Sequence, residues 1–404
     1  MTAIPIQKTF PALIKLSFTQ AKTALQAWYW DVVLLPFLMT RLAWVLVAWF
    51  SQYYLPDPSF ARYSQRGWYL SPNFLIDIWS RWDARWYLSI VTNGYVAHSS
   101  LTQYLSNLAF FPLYPYLVKP VGWIFPHAQS SQGIYLLYGI LLSNLFFLAA
   151  AGLLYKLAVN LLADETTARY TLLLLFVFPT SFYFSCFYSE SLFLFLALAS
   201  LTAALHQKWW LAGLLGALCT LTRSPGILMI IPLLWLYMNS RQWQLRSLRG
   251  DVLWFLLMPA SLALFFLSLY SKTGSYWAPL LAQQAWGRGG DLGKNILEII
   301  QSPALNPRQL DAVFWIVFLL ITLVGMWKLP SRLYGVYALA QLALPIASGT
   351  FFSASRLIVV IFPVFIMLAQ LLRSRQSWLK IVLALLFTLQ IVYFLGWVNY
   401  YWIA

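Results

Sequence analysis

Charge is what this chain has least of: only 9% of its 404 residues are Asp, Glu, Lys or Arg. A soluble domain carries about a quarter of its residues as these four types, so a soluble globular fold is excluded. Disorder is excluded too, because it needs low hydrophobicity and 61% of this chain is hydrophobic. Cysteine is nearly absent. Cys186 and Cys219, the two present, fall in or beside apolar stretches and make neither a disulfide framework nor a metal site. The short alternating segments of a membrane β-barrel are also missing; the apolar runs, such as 146–162 and 380–394, are long. What remains is an all-α, polytopic membrane protein. Its net charge of +15, from 26 Lys and Arg against 11 Asp and Glu, then acts on orientation and on anionic lipid, and implies no nucleic-acid partner.

The first apolar run begins near Val32 without a small-residue cleavage pattern, so no cleavable signal peptide is expected. Residues 8–30 read instead as a basic amphipathic segment, with Lys8, Lys15 and Lys22 at heptad spacing around Phe10, Leu13, Ile14 and Phe18. Such a segment, within 1–31, belongs on the cytoplasmic membrane face. About eleven transmembrane helices are expected, at 32–54, 134–160, 168–185, 189–206, 209–222, 225–239, 252–270, 312–328, 332–351, 356–373 and 379–402. The assigned inner side holds Lys156, Arg169, Lys208, Arg241, Arg246, Arg249, Lys328, Arg332, Arg373, Arg375 and Lys380. The short outer turns hold only Arg223 and Arg356, in agreement with the positive-inside rule. The pair 209–222 and 225–239, divided by Ser224-Pro225-Gly226, has one long helix over 209–238 as its alternative.

Two long hydrophilic stretches, 55–133 and 271–311, are assigned outside, and residues 1–404 form one membrane domain without internal repeats. Pro112, Pro115 and Pro120 interrupt the apolar section 108–126, which is therefore expected to be re-entrant or interfacial. The densest cluster of polar and aromatic residues lies just before it, from Asp77 through Arg81, Trp82, Asp83 and Trp86 to Tyr87. On a helix, Trp79, Trp82, Trp86 and Ile90 share one face, while Asp83 and Tyr87 share a neighbouring one. That suits an interfacial helix with a carboxylate facing an outer cavity, although an aromatic belt with solvated charges accounts for the same composition.

Arg223 precedes Ser224 and Pro225, residues suited to a helix cap and a first helical position, and Arg356 follows Ser353-Ala354-Ser355. A cation at a helix start opposes the macrodipole, and the placement becomes favourable if an anion such as a lipid phosphate binds there. Snorkelling to headgroups is the plainer reading of each arginine alone. In Tyr188-Ser189-Glu190-Ser191, Ser189 can cap and Glu190 suits a first helical turn. Arg41, about ten residues into the first span, should face the protein interior, as a functional charge or in a structural ion pair. His98, in the first outer stretch, is placed to touch a substrate, whereas His127 and His206 read as loop residues.

Taken in order, these pieces resemble the PIG-V family of GPI mannosyltransferase-related membrane enzymes, within the GT-C superfamily. The matching pieces are Arg81-Trp82-Asp83-Ala84, Asn93-Gly94-Tyr95, Phe110-Phe111-Pro112 with Tyr114-Pro115, and Phe178-Pro179 with Tyr188-Ser189-Glu190-Ser191. Thr222-Arg223-Ser224-Pro225-Gly226 and Arg356 ahead of Phe362-Pro363 complete the set, which covers most of the chain; Pro225 departs from the family's Arg-Ser-Asn-Gly type of string. The resemblance implies transfer of a sugar, typically mannose, from a polyprenyl-phosphate carrier such as dolichyl phosphate to a glycan or lipid-linked acceptor on the non-cytoplasmic face. It implies an essential aspartate in the first outer loop, carried by Asp83, here expected to be the general base of an inverting glycosyltransferase. Arg223 and Arg356 are expected to bind the donor phosphate, and Arg81, Trp82, Tyr87, Tyr114, Tyr188 and Glu190 to contact substrate. No cofactor is expected and no metal site, since a cation would need more clustered carboxylates than Asp77 and Asp83 provide; dependence on a divalent cation stays open. A transporter or flippase of lipid-linked sugars is the alternative function, and a subunit that only holds a glycolipid or partner enzyme a further one. The compact loops suggest a bacterial plasma membrane with the site outside, or the endoplasmic reticulum membrane in a eukaryote.

Overall fold

A computed structural model describes residues 28–55, 69–97, 100–125, 132–302 and 307–403. The expected amphipathic segment 8–30, apart from its last three residues, and both His98 and His127 lie outside the described residues. Among the described residues every regular element is a helix. The first, α1 (Trp30–Tyr54), opens with a π-helical turn just ahead of Pro36, a residue that cannot donate the backbone hydrogen bond of a regular α-helix. The stretch expected to lie outside contributes α2 (Ala84–Asn93) and α3 (Leu113–Val118), followed by a single turn, Val121–Ile124. Trp123, Ile124 and Phe125 on that turn are more than half exposed, as suits an interfacial segment.

The membrane body follows with α4 (Gln132–Leu162), α5 (Glu165–Phe176), α6 (Glu190–Leu205), α7 (Trp209–Thr222), α8 (Ile230–Ser240) and α9 (Gly250–Thr273). After the short helices α10 (Ala278–Gln284) and α11 (Leu292–Gln301) come α12 (Pro307–Gly325) and α13 (Leu333–Ala347). The chain ends with α14 (Ala354–Ile358), α15 (Phe362–Leu372) and α16 (Gln376–Val398). By length and composition five helices among the described residues, α1, α4, α9, α12 and α16, can cross a membrane, so the protein is a multi-pass membrane protein. Most of the other expected spans fold as apolar helices of 10–17 residues.

Three expected spans differ from the structure, each for a local reason. The span 168–185 ends as a helix at Phe176, because Pro179 has no N–H and disfavours helix in the residue before it. Residues 177–189 continue as buried irregular chain with a 3-10 turn at Ser181–Ser185. Non-helical backbone survives at such depth only if its polar groups find partners. Here Gln390 Nε2 donates to the carbonyls of Phe176 (2.9 Å) and Phe178 (2.8 Å), and the Ser181 hydroxyl donates to Leu175. The span 332–351 stops at Ala347, two residues after Pro345. The span 356–373 is broken into α14 and α15, with Pro363 in the first turn of the second piece.

The region 209–239 is two helices, not one. Arg223 is extended (φ −158°, ψ 146°), and a 3-10 stretch, Ser224–Met229, leads into α8. Gly226 is required there: a Cβ would sit 2.5 Å from the backbone of Cys219 and Thr220. The short connection 206–208 pairs α6 and α7 antiparallel, so the start of α6 and the end of α7 share one end of the bundle. Arg41 does face inward. Its Nε donates to Ser185 Oγ (3.0 Å) and its guanidinium lies 3.9 Å from the Phe37 ring centre and 4.7 Å from that of Trp44. Hydroxyls and aromatic faces hold this charge, and none of the ion pairs among the described residues involves it.

Candidate active site

Four interruptions of regular helix meet at one end of the bundle, and each delivers one charged side chain. Asp83 stands immediately before α2, Glu190 opens α6, Arg223 follows α7, and Arg356 lies in α14. Arg356 joins two of the others directly. Its Nη1 donates to Asp83 Oδ2 at 2.5 Å and its Nε to Glu190 Oε1 at 2.6 Å. Arg223 forms an ion pair with the same Glu190 oxygen. Glu190 is fully buried, and Asp83 and Arg356 are each 6% exposed. Charges so deprived of water are tolerable only when paired, which these are.

The backbone leading into the site is held in unusual conformations. Trp82, immediately before Asp83, has φ 52°, and Ser353, three residues before Arg356, has φ 62°. Left-handed φ at a non-glycine residue costs on the order of 1–3 kcal/mol and persists only where surrounding contacts fix it. At the first position Asp83 N donates to Tyr188 Oη (2.9 Å), which itself donates to the carbonyl of Arg81 (2.9 Å). At the second, Asp311 Oδ1 accepts from Ser355 N (2.9 Å) and Ser355 Oγ (2.5 Å). Asp311 thus supplies the acceptor that fixes the start of α14, while the anions paired with Arg223 and Arg356 are the protein's own Glu190 and Asp83.

Two expected caps are not formed. Neither Ser224 nor Ser189 caps its helix; the Ser189 hydroxyl instead lies 2.7 Å from Tyr87 Oη. Burial, and after it the charge of Glu190, pushes the Tyr87 phenol up to about 12, so this group stays protonated at neutral pH.

A cavity of about 370 Å³ opens over this network. Asp83, Tyr87, Arg223 and Arg356 line it, and Phe110, Trp286, Phe352 and Trp402 contribute aromatic walls. Phe352 and Trp402 stack at 5.1 Å with an angle of 6° between rings. Asp83 Oδ1 and Glu190 Oε2 are buried without a hydrogen-bond partner among the described residues.

The other expected contact residues sit behind the cavity wall. Arg81 pairs with Asp77, donates to the carbonyl of Val398, and lies 4.0 Å from the Tyr400 ring centre. Burial raises the Asp77 carboxyl above its ordinary range, against the lowering by Arg81. Trp82 packs edge-on against Trp402, with ring centres 5.1 Å apart. Tyr114 is fully buried, donates to the carbonyl of Gly139 (2.9 Å), and meets Tyr87 edge-on. Tyr188 presents its ring face to the Arg356 guanidinium at 4.4 Å. Three residues outside the expected set take part in the site: Asp311, Trp286 and Arg288, the last two lining the cavity from the loop after α10. Only the glycines around Arg288, at 287, 289 and 290, mark that loop in the sequence.

The family model described as Mannosyltransferase (PIG-V) matches residues 69–287, more than half of the chain. GPI alpha-1,6-mannosyltransferase 2 of Cricetulus griseus is 32% identical, over 37% of this chain and 30% of that protein. GPI mannosyltransferase 2 of Drosophila pseudoobscura pseudoobscura is 31% identical over 36% of this chain and 32% of its own length. The matched region is thus about a third or less of each of these relatives. Among solved structures, the oligosaccharyltransferase of Archaeoglobus fulgidus in its apo form aligns at a TM-score of 0.42 and 15% identity, over 90% of this chain and 55% of that one. The family match takes in Asp83, Glu190 and Arg223, so the chain belongs to the PIG-V mannosyltransferase family.

Proposed function

We propose that the protein transfers a sugar, mannose by family, from a polyprenyl-phosphate carrier to a hydroxyl of a glycan or glycolipid acceptor, with inversion at the anomeric carbon. One observation carries this reading: at the floor of an aromatic cavity, Asp83 has one oxygen held by Arg356 and the other without a partner among the described residues. The unpartnered Oδ1 is the general base. As the acceptor oxygen bonds to the anomeric carbon, its proton passes to Oδ1. The bond from that carbon to the phosphate oxygen breaks, and its electron pair leaves with the polyprenyl phosphate. Arg223 and Arg356 face the departing phosphate, and charge-assisted hydrogen bonds from them stabilise the charge it gains. Glu190 holds both guanidinium groups in place. Tyr87 donates to substrate from the cavity wall, while Arg81, Trp82, Tyr114 and Tyr188 fix the shape of that wall.

The distribution of Lys and Arg supports placing the cavity on the non-cytoplasmic face, outside a bacterial plasma membrane or lumenal in an endoplasmic reticulum. The scheme uses the chain's own carboxylate and arginines and calls on no cofactor. A transporter of lipid-linked sugars would have no use for a buried base, which favours transfer over transport.

The deciding experiment incubates the purified protein with radiolabelled polyprenyl-phosphate mannose and a panel of glycan and glycolipid acceptors. Labelled product with the parent and none with Asp83→Asn is the expected result. Movement of intact carrier across vesicles, with no product from any acceptor, would overturn the proposal.

A further inference from the structure

Three arginines line the cavity, and among the described residues two carboxylates pair with them, Asp83 on the wall and Glu190 buried behind it. Arg223 and Arg356 account for Glu190 and Asp83. Arg288 lines the same cavity and has no ion pair among the described residues. With all five groups ionised, the site carries one unbalanced positive charge. We infer that Arg288, with Trp286 beside it, is the principal ligand of the phosphate of the lipid-linked donor; the inference rests on the function proposed above and names a residue which that scheme lacks.

The loop that carries both residues is seated, not draped. Gly289 N donates to the carbonyl of Ser348 (2.7 Å), Arg288 N to that of Gln283 (3.2 Å), and Asn295 Nδ2 to that of Gly349 (2.6 Å). Gly287 and Gly289 take φ 72° and 82°, and the close approach of the loop to Gly349 leaves no room for a side chain there: a Cβ would lie 2.1 Å from the carbonyl oxygen of Gly290. Gln283 Nε2 in turn donates to the carbonyl of Ala109, fixing α10 to the first outer stretch (3.0 Å). The backbone that carries Arg288 is therefore fixed beside the cavity by contacts made without any ligand.

Its environment asks for an anion. Burial, then repulsion by Arg223 and Arg356, pushes the Arg288 guanidinium down to about 10, so it remains charged at neutral pH but unfavourably so. A phosphodiester carries one negative charge, equal and opposite to the excess of the site. The Trp286 indole N–H is buried and has no acceptor among the described residues, so it can donate to a second phosphate oxygen. Phe266, Pro279 and Leu280 line the same side of the cavity, and Leu280 is 51% exposed, which gives the polyprenyl chain an apolar path to lipid. On departure the phosphate gains a second negative charge, and Arg288, unlike its neighbours, can answer it without giving up a carboxylate.

The test uses the purified full chain, with isothermal titration of a short-chain polyprenyl phosphate, the matching neutral polyprenol and inorganic phosphate. Arg288→Gln should weaken polyprenyl phosphate binding at least tenfold, Arg288→Lys should retain part of it, and polyprenol binding should be equal in all three proteins. Inorganic phosphate should compete only at far higher concentration. In the transfer assay the donor KM should rise in Arg288→Gln while the acceptor KM stays constant. Equal polyprenyl phosphate affinity in the parent and in Arg288→Gln would overturn the inference and leave the Asp83 scheme standing. A parent that makes product yet binds polyprenol as tightly as polyprenyl phosphate would likewise remove Arg288 alone. Absence of polyprenyl phosphate binding by the parent would overturn the donor assignment and this inference together. Matching melting temperatures of the three proteins separate lost binding from lost fold.

Discussion

Arg356 Nη1 lies 2.5 Å from Asp83 Oδ2, a contact that joins residues 273 positions apart and sets the distance between the start of α2 and that of α14. The same guanidinium reaches Glu190 through Nε, so replacing any one of the three changes the electrostatics of the other two.

Asp83→Asn keeps the shape of the side chain and removes the base. Transfer should fall by at least ~10²–10⁴-fold, the usual contribution of a positioned general base. The melting temperature in detergent should change little, because Arg356 keeps Glu190 as its partner. Activity equal to the parent would remove Asp83 from the chemistry.

Glu190→Gln should behave differently. Glu190 is fully buried and shared by Arg223 and Arg356, so neutralising it leaves Arg223 with no carboxylate among the described residues. Breaking a buried ion pair in this way costs about 3–5 kcal/mol. A clear drop in thermal midpoint and in yield of folded protein is expected, and an unchanged midpoint would show that the pairing contributes nothing to stability.

Asp311 never touches the cavity, yet it holds the segment that delivers Arg356. Asp311→Ala removes the acceptor for Ser355 N and Oγ, a loss worth about 1–3 kcal/mol for buried groups left unsatisfied. Both stability and turnover should fall. Asp311→Asn, which retains an acceptor oxygen, should recover much of the turnover, and failure to do so would argue against a positioning role.

Tyr87 supplies a pH test with a definite sign. Its phenol is raised to about 12, so between neutrality and pH 9 it is a hydrogen-bond donor and never a base. The rate profile of Tyr87→Phe over that interval should keep the shape of the parent profile at lower amplitude. At alkaline pH the raised value stabilises the folded state while pH is below the unfolded value near 10, and that contribution is lost as pH rises towards 12. Tyr87→Phe should therefore unfold less steeply above pH 10, as followed by circular dichroism.

Composition and periodicity were enough to read an all-helical membrane protein, because apolar runs and basic loops are local properties. Asp83, Glu190, Arg223 and Arg356 could be singled out for a related reason: in so apolar a chain, each carboxylate and each arginine near a Ser or Pro break stands out. Their mutual pairing could not be read, since contacts separated by 166 or 273 positions leave no trace in spacing. The helix end at Phe176 is not legible because 177–189 is as apolar as a crossing helix, and Gln390, which satisfies part of that backbone, lies over 200 positions away. Arg288 was missed for the opposite reason, lying in a hydrophilic loop where an arginine is unremarkable until the fold brings that loop over the cavity.

The last helix supplies none of the proposed reacting groups, yet one of its surfaces serves two remote stretches of chain. Gln390 secures 176–178, while Trp397 and Val398 secure Ile78 and Arg81. A twist of α16 by a single residue, about 100°, would withdraw all of these supports together. The registration of Asp83 against Glu190 is therefore governed by the angular seating of a helix that lies wholly outside the chemistry.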